Sequence, residues 1–146
     1  MKFSEFPYKR PDYEKVMSEI TALTEKFKAA TSAKEQLSIM KELEQIEIET
    51  FTASTICNIR YTVDTRDKFY SDEHEYNEQM GPVLSEKLQD FNKALVASPF
   101  RKEIEAEYSP LMFKNIEISL KSFSPELIPL IQEENQLIQQ YQKLCA

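Results

Sequence analysis

Glycine is nearly absent: Gly81 is the only one in 146 residues. Strand-rich folds turn tightly and often, and tight turns draw heavily on glycine. The shortage excludes a hairpin-built architecture and favours long helices. Tryptophan is missing altogether, and histidine occurs once, as His74. A single histidine excludes any metal or catalytic constellation that needs two within this chain. Cysteine is scarce as well. Cys57 and Cys145 stand far apart in helix-like sequence, and they read as reduced, packed thiols rather than as a disulfide framework.

Long apolar runs are lacking too. No stretch approaches the ~18 apolar residues of a membrane span. The opening MKFSEFPYKRPDYEK has no apolar core of about 7–15 residues such as a secretory signal needs. Nor is there a basic surplus: 25 acids oppose 18 bases, for a net charge of −7. Nucleic-acid binders need a basic face that displaces phosphate counterions. Lys2, Lys9 and Arg10 come nearest to a basic cluster and read as a solvated terminus. The expectation is a soluble, acidic, cytoplasmic polypeptide with neither nucleic acid nor membrane as a partner.

What the chain does have is helical periodicity. Tyr13, Val16, Ile20, Leu23 and Phe27 recur at alternating steps of three and four behind Asp12, an N-cap residue. Ser32 and Glu35 then have the spacing of a capping box. A second stripe follows through Leu37, Met40, Leu43, Ile46, Phe51, Ile56, Ile59 and Val63, widened by Ile39 and Ile48. No glycine or proline interrupts it, so one helix of about 30 residues and ~45 Å is expected. After Asp64–Asp67 a third stripe runs Phe69, Tyr70, Tyr76, Met80, Leu84, Leu88, Phe91 and Leu95. Gly81–Pro82 falls inside it and predicts either a kink or two helices meeting end to end.

The last third is punctuated by Ser98–Pro99, Ser109–Pro110 and Ser124–Pro125, each the N-cap-plus-N1 pattern of a helix start. The fold class expected is all-α: long antiparallel helices at about 12–30, 33–65 and 67–97, then shorter helices over 99–145, in one segment spanning 1–146. The stripe of Leu127, Ile131, Leu137, Ile138, Tyr141 and Leu144 runs to the end without a capping glycine, which reads as an interruption of a longer helical body.

Motifs for chemistry fail one by one. A zinc helix of the H-E-x-x-H kind needs two histidines one turn apart, but here the string is His74–Glu75–Tyr76–Asn77–Glu78. Glu-x-x-His pairs of di-metal bundles fail because position 71 is Ser71. A nucleophile elbow or phosphate loop needs glycines that the chain lacks. His74 reads as a helix-surface or packing residue, Cys57 as a buried small hydrophobe, and Glu133–Glu134 and Glu47–Glu49 as solvated acids. No catalytic residue and no metal ligand is assigned. The unusual stretch is NIRYTVDTRDKFY, residues 58–70. There Arg60, Tyr61, Asp64, Asp67 and Tyr70 crowd a helix–helix corner. One reading is local capping and ion pairing; the other is contact with a substrate or another domain.

That corner carries a resemblance. The opening KFSEFPYKRPDYEK, the corner RYTVDTRDKFYSDE, SPFRKEIE and LKSFSPELIPLIQEENQLIQQYQKL stand in this order along nearly the whole chain. Together they resemble the N-terminal region of the oligoendopeptidase F family, zinc metallopeptidases related to thimet oligopeptidase. The resemblance implies a larger helical ellipsoid with a deep channel that admits short peptides. This chain would supply about its first quarter, as a wall or lid of the channel. It also implies that zinc, its H-E-x-x-H helix and the further glutamate ligand belong to a catalytic region absent from this chain, and that the partners are that region and an oligopeptide substrate. On this reading the chain is not catalytic alone. The alternative is a stand-alone helical interaction module, with a homo-oligomer left open.

Overall fold

The computed structural model describes residues 5–122 and 124–145. Among these the chain is built of six α-helices: α1 (Tyr13–Ala29), α2 (Ala33–Val63), α3 (Lys68–Val96), α4 (Arg101–Glu107), α5 (Pro110–Ser122) and α6 (Ile128–Cys145), the last preceded by a 3₁₀ turn at Pro125–Leu127. The described residues contain no strand.

Helix starts follow their capping chemistry. The Asp12 carboxylate accepts from the Lys15 amide at 3.1 Å. Ser32 Oγ accepts from the Glu35 amide at 3.3 Å, while the Glu35 carboxylate accepts from the Thr31 amide at 2.7 Å, a variant of the reciprocal box. Asp67 accepts from the amides of Phe69 and Tyr70. Ser109 accepts from the Leu111 amide at 3.0 Å. Ser98 accepts from the Phe100 amide at 3.0 Å, but α4 itself begins only at Arg101.

α1, α2 and α3 pack on one another, with α4 and α5 closing one end and α6 lying along α3. The core gathers Ile20, Leu23 and Phe27 of α1, Met40 and Leu43 of α2, Phe91 and Leu95 of α3, Ile104 of α4 and Phe113 of α5. Phe27 and Phe91 meet at 4.9 Å between ring centroids. Burying side chains of this size stabilises by about 1.5–3 kcal/mol each. Gln36 is buried at the same end. Its Nε2 donates to the Phe27 carbonyl at 3.0 Å, and its Oε1 accepts from Ser98 Oγ, tying the ends of α1 and α3 to the start of α2.

Three expectations need correction. α2 does not bury its apolar stripe along its whole length: Ile48, Phe51 and Val63 are exposed, while Thr50, Cys57 and Tyr61 are buried. Cys145 is exposed, so only Cys57 is a packed thiol. Finally, α3 runs unbroken through Pro82, so two helices do not meet there. Proline has no N–H to give the carbonyl four residues back. Here the Glu78 carbonyl instead accepts from Asn135 Nδ2 of α6 at 3.2 Å. Next to it Gln132 Nε2 donates to the Gln79 carbonyl at 2.7 Å, and Gln139 Nε2 to the Ser71 carbonyl at 3.2 Å. α6 thus docks by its amides and turns Leu130, Leu137, Ile138, Tyr141 and Leu144 outward.

Candidate functional site

The second half of α2 and the first half of α3 face each other across a polar interior. From α2 the inward positions are Thr50, Ser54, Cys57 and Tyr61, spaced by four, three and four; α3 brings Ser71, Glu73, His74 and Asn77. The segment before α1 lies across them. Glu73 is 4% exposed and is the anchor. Arg10 donates to both its oxygens through Nε, at 3.1 and 2.9 Å, and again through Nη2. Tyr8 Oη donates to the same carboxylate at 2.8 Å. The Arg10 guanidinium also lies 4.5 Å over the Tyr76 ring. These contacts hold the Glu73 carboxyl below the usual glutamate range, through the Arg10 hydrogen bonds first and against the opposing effect of burial. Burial, reinforced by the bond to Glu73, pushes the Tyr8 phenol well above its ordinary value.

Next to this pair Tyr13 Oη donates to Asn77 Oδ1 at 2.7 Å and lies 3.2 Å from Ser54 Oγ. His74 stacks on Tyr61, with centroids 4.3 Å apart and planes at 18°. Burial lowers the His74 imidazole below its ordinary value and raises the Cys57 thiol, so neither is tuned as a base–nucleophile pair. Among the described residues no three His, Cys, Asp or Glu side chains form a group that would hold a metal ion. The zinc implied by the resemblance finds no fitting ligand set among them.

The five corner residues occupy different settings. Arg60 donates to Tyr70 Oη and to the Phe6 carbonyl, and its guanidinium lies 5.3 Å from the Tyr70 ring centroid. Tyr61 is 0% exposed and forms the floor under His74. Asp64 is the C-cap of α2 and accepts from the Arg66 amide at 3.0 Å, and Asp67 is the N-cap of α3. Tyr8 packs edge-on against both Phe69 and Tyr70. The structure therefore brings Arg60 and Tyr70 together with the chain's N-terminal segment, while Asp64 and Asp67 shape the turn. Sequence reasoning missed Tyr8, Arg10, Tyr13, Glu73 and Asn77. Arg10 is not simply a solvated terminal charge: half its side chain is exposed, but its head group is bound to Glu73.

Comparison with known proteins gives this geometry a context. The family described as the peptidase M3 N-terminal domain matches residues 3–123. A solved structure of PZ peptidase A with an inhibitor is 37% identical, superposes with a TM-score of 0.93, and is matched over 96% of this chain and 25% of that one. A protein assigned as oligoendopeptidase F from Bacillus anthracis str. Ames is 35% identical at a TM-score of 0.93, over 97% of this chain and 26% of that one. This chain spans about a quarter of the length of these structures. No curated protein matches it. The resemblance read from the ordered sequence blocks stands, and the chain belongs to the peptidase M3 N-terminal domain family.

Proposed function

We propose that this chain is a channel-wall or lid segment of a cytoplasmic, zinc-dependent oligoendopeptidase that hydrolyses short peptides, and that it does not hydrolyse them alone. The observation that carries this reading is the superposition of nearly the whole chain on a quarter of two peptidases at 35–37% identity. The apolar surface supports it. Phe51, Val63 and Leu144 are 74%, 82% and 86% exposed, as expected of a segment made to lie against a larger body. In this reading zinc and its ligands come from the catalytic region. The corner of Arg60, Asp64, Asp67 and Tyr70 contacts that region or the peptide, while Tyr61, fully buried, supports it from within.

Two assays test the reading. Incubated with zinc and a quenched oligopeptide, the chain should show no turnover; zinc-dependent hydrolysis that survives contaminant controls would overturn it. Grafted in place of the matching quarter of an oligoendopeptidase F, it should preserve activity and peptide-length selectivity, and Arg60→Ala in the graft should shift that selectivity. If selectivity and stability both ignore Arg60→Ala and Asp64→Ala, the corner is only local capping. A second reading, a stand-alone interaction module or homo-oligomer, is favoured by the outward apolar face of α6. It requires a monodisperse, cooperatively melting species in solution and an inactive graft.

A further inference from the structure

The segment before α1, residues 6–11, roofs buried groups but buries no side chain of its own. Phe6, Pro7, Lys9 and Arg10 are exposed, and Tyr8 and Pro11 are half-buried. Beneath it Glu73 is 4% exposed and Cys57 0%. Tyr8 is the side chain that reaches inward: its phenol, whose pKa burial raises first, also feels Glu73, Asn77 and Cys57 as neighbours. What holds the segment down is polar and thin. Among the described residues no backbone–backbone hydrogen bond joins 6–11 to the helices. Two guanidinium groups make the ties, one in each direction. Arg10 reaches from the segment to Glu73 of α3, and Arg60 reaches from α2 to the Phe6 carbonyl. Tyr8 adds its bond to Glu73 and edge-on contacts with Phe69 and Tyr70. Toward α2 the packing is open. A cleft of about 670 Å³ has Phe6, Pro7 and Lys9 on one side and Ile48, Thr52 and Ile56 on the other. Segments that bury little apolar area open at lower free energy than the core beneath them. Pro7 and Pro11 restrict the backbone to extended forms, which keeps the segment stiff as it moves.

We propose that residues 6–11 form a strap that lifts from α2 and α3 while the helical bundle stays folded, uncovering the Glu73 carboxylate and the Cys57 thiol. The Arg10–Glu73 contact is its latch. With the strap down, Cys57 Sγ lies between Tyr8 and the Tyr70 carbonyl, 4.0 Å away, and is closed to solvent. With the strap up, the side toward Tyr8 is open. The motion is local, so the latch sets its free energy and the apolar end of the bundle does not. Every group belongs to this chain, so the proposal does not rest on the channel-wall reading and is tested without a catalytic region.

The test is the rate at which N-ethylmaleimide, an uncharged reagent, alkylates Cys57 at fixed pH in a Cys145→Ser background. Cys145 is exposed, so its replacement removes the competing thiol. The Cys57 sulfur adds to the maleimide double bond and a proton goes to the neighbouring carbon, so no oxidant is needed. Below the unfolding transition the rate should be flat in urea, because lifting the strap exposes little surface. Arg10→Ala should raise it about tenfold, the loss of one charge-assisted tie. Phe91→Ala, at the apolar end, should lower global stability yet leave the rate within about twofold of the parent. Should Arg10→Ala fail to fold, Tyr8→Phe, which removes the hydroxyl tie to Glu73, takes its place and should accelerate labelling about threefold. Should Phe91→Ala fail to fold, the urea dependence of the parent decides alone. A rate that climbs with urea along the full unfolding slope, that responds more to Phe91→Ala than to Arg10→Ala, or that stays unchanged in the folded latch variant would each overturn the proposal.

Discussion

At one end of the bundle Phe27, Phe91, Ile104 and Phe113 are each at most 2% exposed and pack on aliphatic neighbours from α1 and α2. At the other end the same long helices, α2 and α3, bury Glu73, His74, Asn77 and Thr50, and α6 adds Gln139. The first end is held by apolar area, which is non-directional and tolerant of small shifts. The second is held by directional contacts, each of which needs its partner in place. A segment whose apolar end is self-contained, and whose polar end carries exposed Phe51, Val63 and Leu144, has its inward and outward surfaces arranged differently along its length.

The sharpest way to break the comparison is at the apolar end. Phe91→Ala removes a ring from a site with several close neighbours, and Phe-to-Ala changes of this kind cost about 3–5 kcal/mol. Urea unfolding should show a loss of that size, spread over the whole helical signal. A loss below about 1 kcal/mol, the level of ordinary surface or marginal sites, would mean that the polar end dominates stability.

At the polar end the matching change is Glu73→Gln. It leaves Arg10 and Tyr8 facing a neutral amide. Breaking a fully buried ion pair is severe, but the Arg10 side chain is 51% exposed and can recover water. A loss of about 1–2 kcal/mol is therefore expected. Its pH signature distinguishes it from the first variant. The Glu73 carboxyl sits below its ordinary pKa in the folded state, chiefly through the Arg10 hydrogen bonds. The unfolded chain then takes up its proton first as pH falls. Glu73 stabilises fully above the ordinary glutamate value of about 4.3, and that contribution fades as pH drops from there toward the lower folded value. Stability curves measured from neutral pH down through this window should fall less steeply in Glu73→Gln than in the parent. Parallel curves would show that Glu73 is not the acid being protonated.

The contrast also explains what could be read without coordinates. The α1 stripe was legible because Tyr13, Ile20, Leu23 and Phe27 are both apolar and inward. The family resemblance was legible because ordered blocks are spread along nearly the whole chain. The interior of the polar end was not. α2 places Thr50, Ser54, Cys57 and Tyr61 inward at helical spacing, the first three as small side chains, while Phe51 and Val63 on other faces dominate the hydrophobic pattern. α6 inverts the usual rule altogether, docking by Gln132, Asn135 and Gln139. Of the site, the Arg60–Tyr70 pairing lies within one corner and was visible as a crowded stretch. The Arg10–Glu73 pair spans 63 positions, and no local periodicity links residues so far apart.

The smallest effect tests the link between Pro82 and α6. In the parent, the Glu78 carbonyl lacks its helical donor because residue 82 is proline, and Asn135 supplies one from the neighbouring helix. Asn135→Ala should cost about 1 kcal/mol, a typical net hydrogen bond. Pro82→Ala restores an N–H at position 82 that reaches the same carbonyl within α3. With that donor present, losing Asn135 should matter less, so the two substitutions should couple by roughly 0.5–1 kcal/mol in a double-mutant cycle. Hydrogen exchange in α6 gives the spatial reading of the same cycle. Asn135→Ala should loosen α6 in the parent and change it little in the Pro82→Ala background. Strict additivity would mean that Asn135 stabilises α6 by packing alone, and that the carbonyl left free by Pro82 plays no part in docking the last helix.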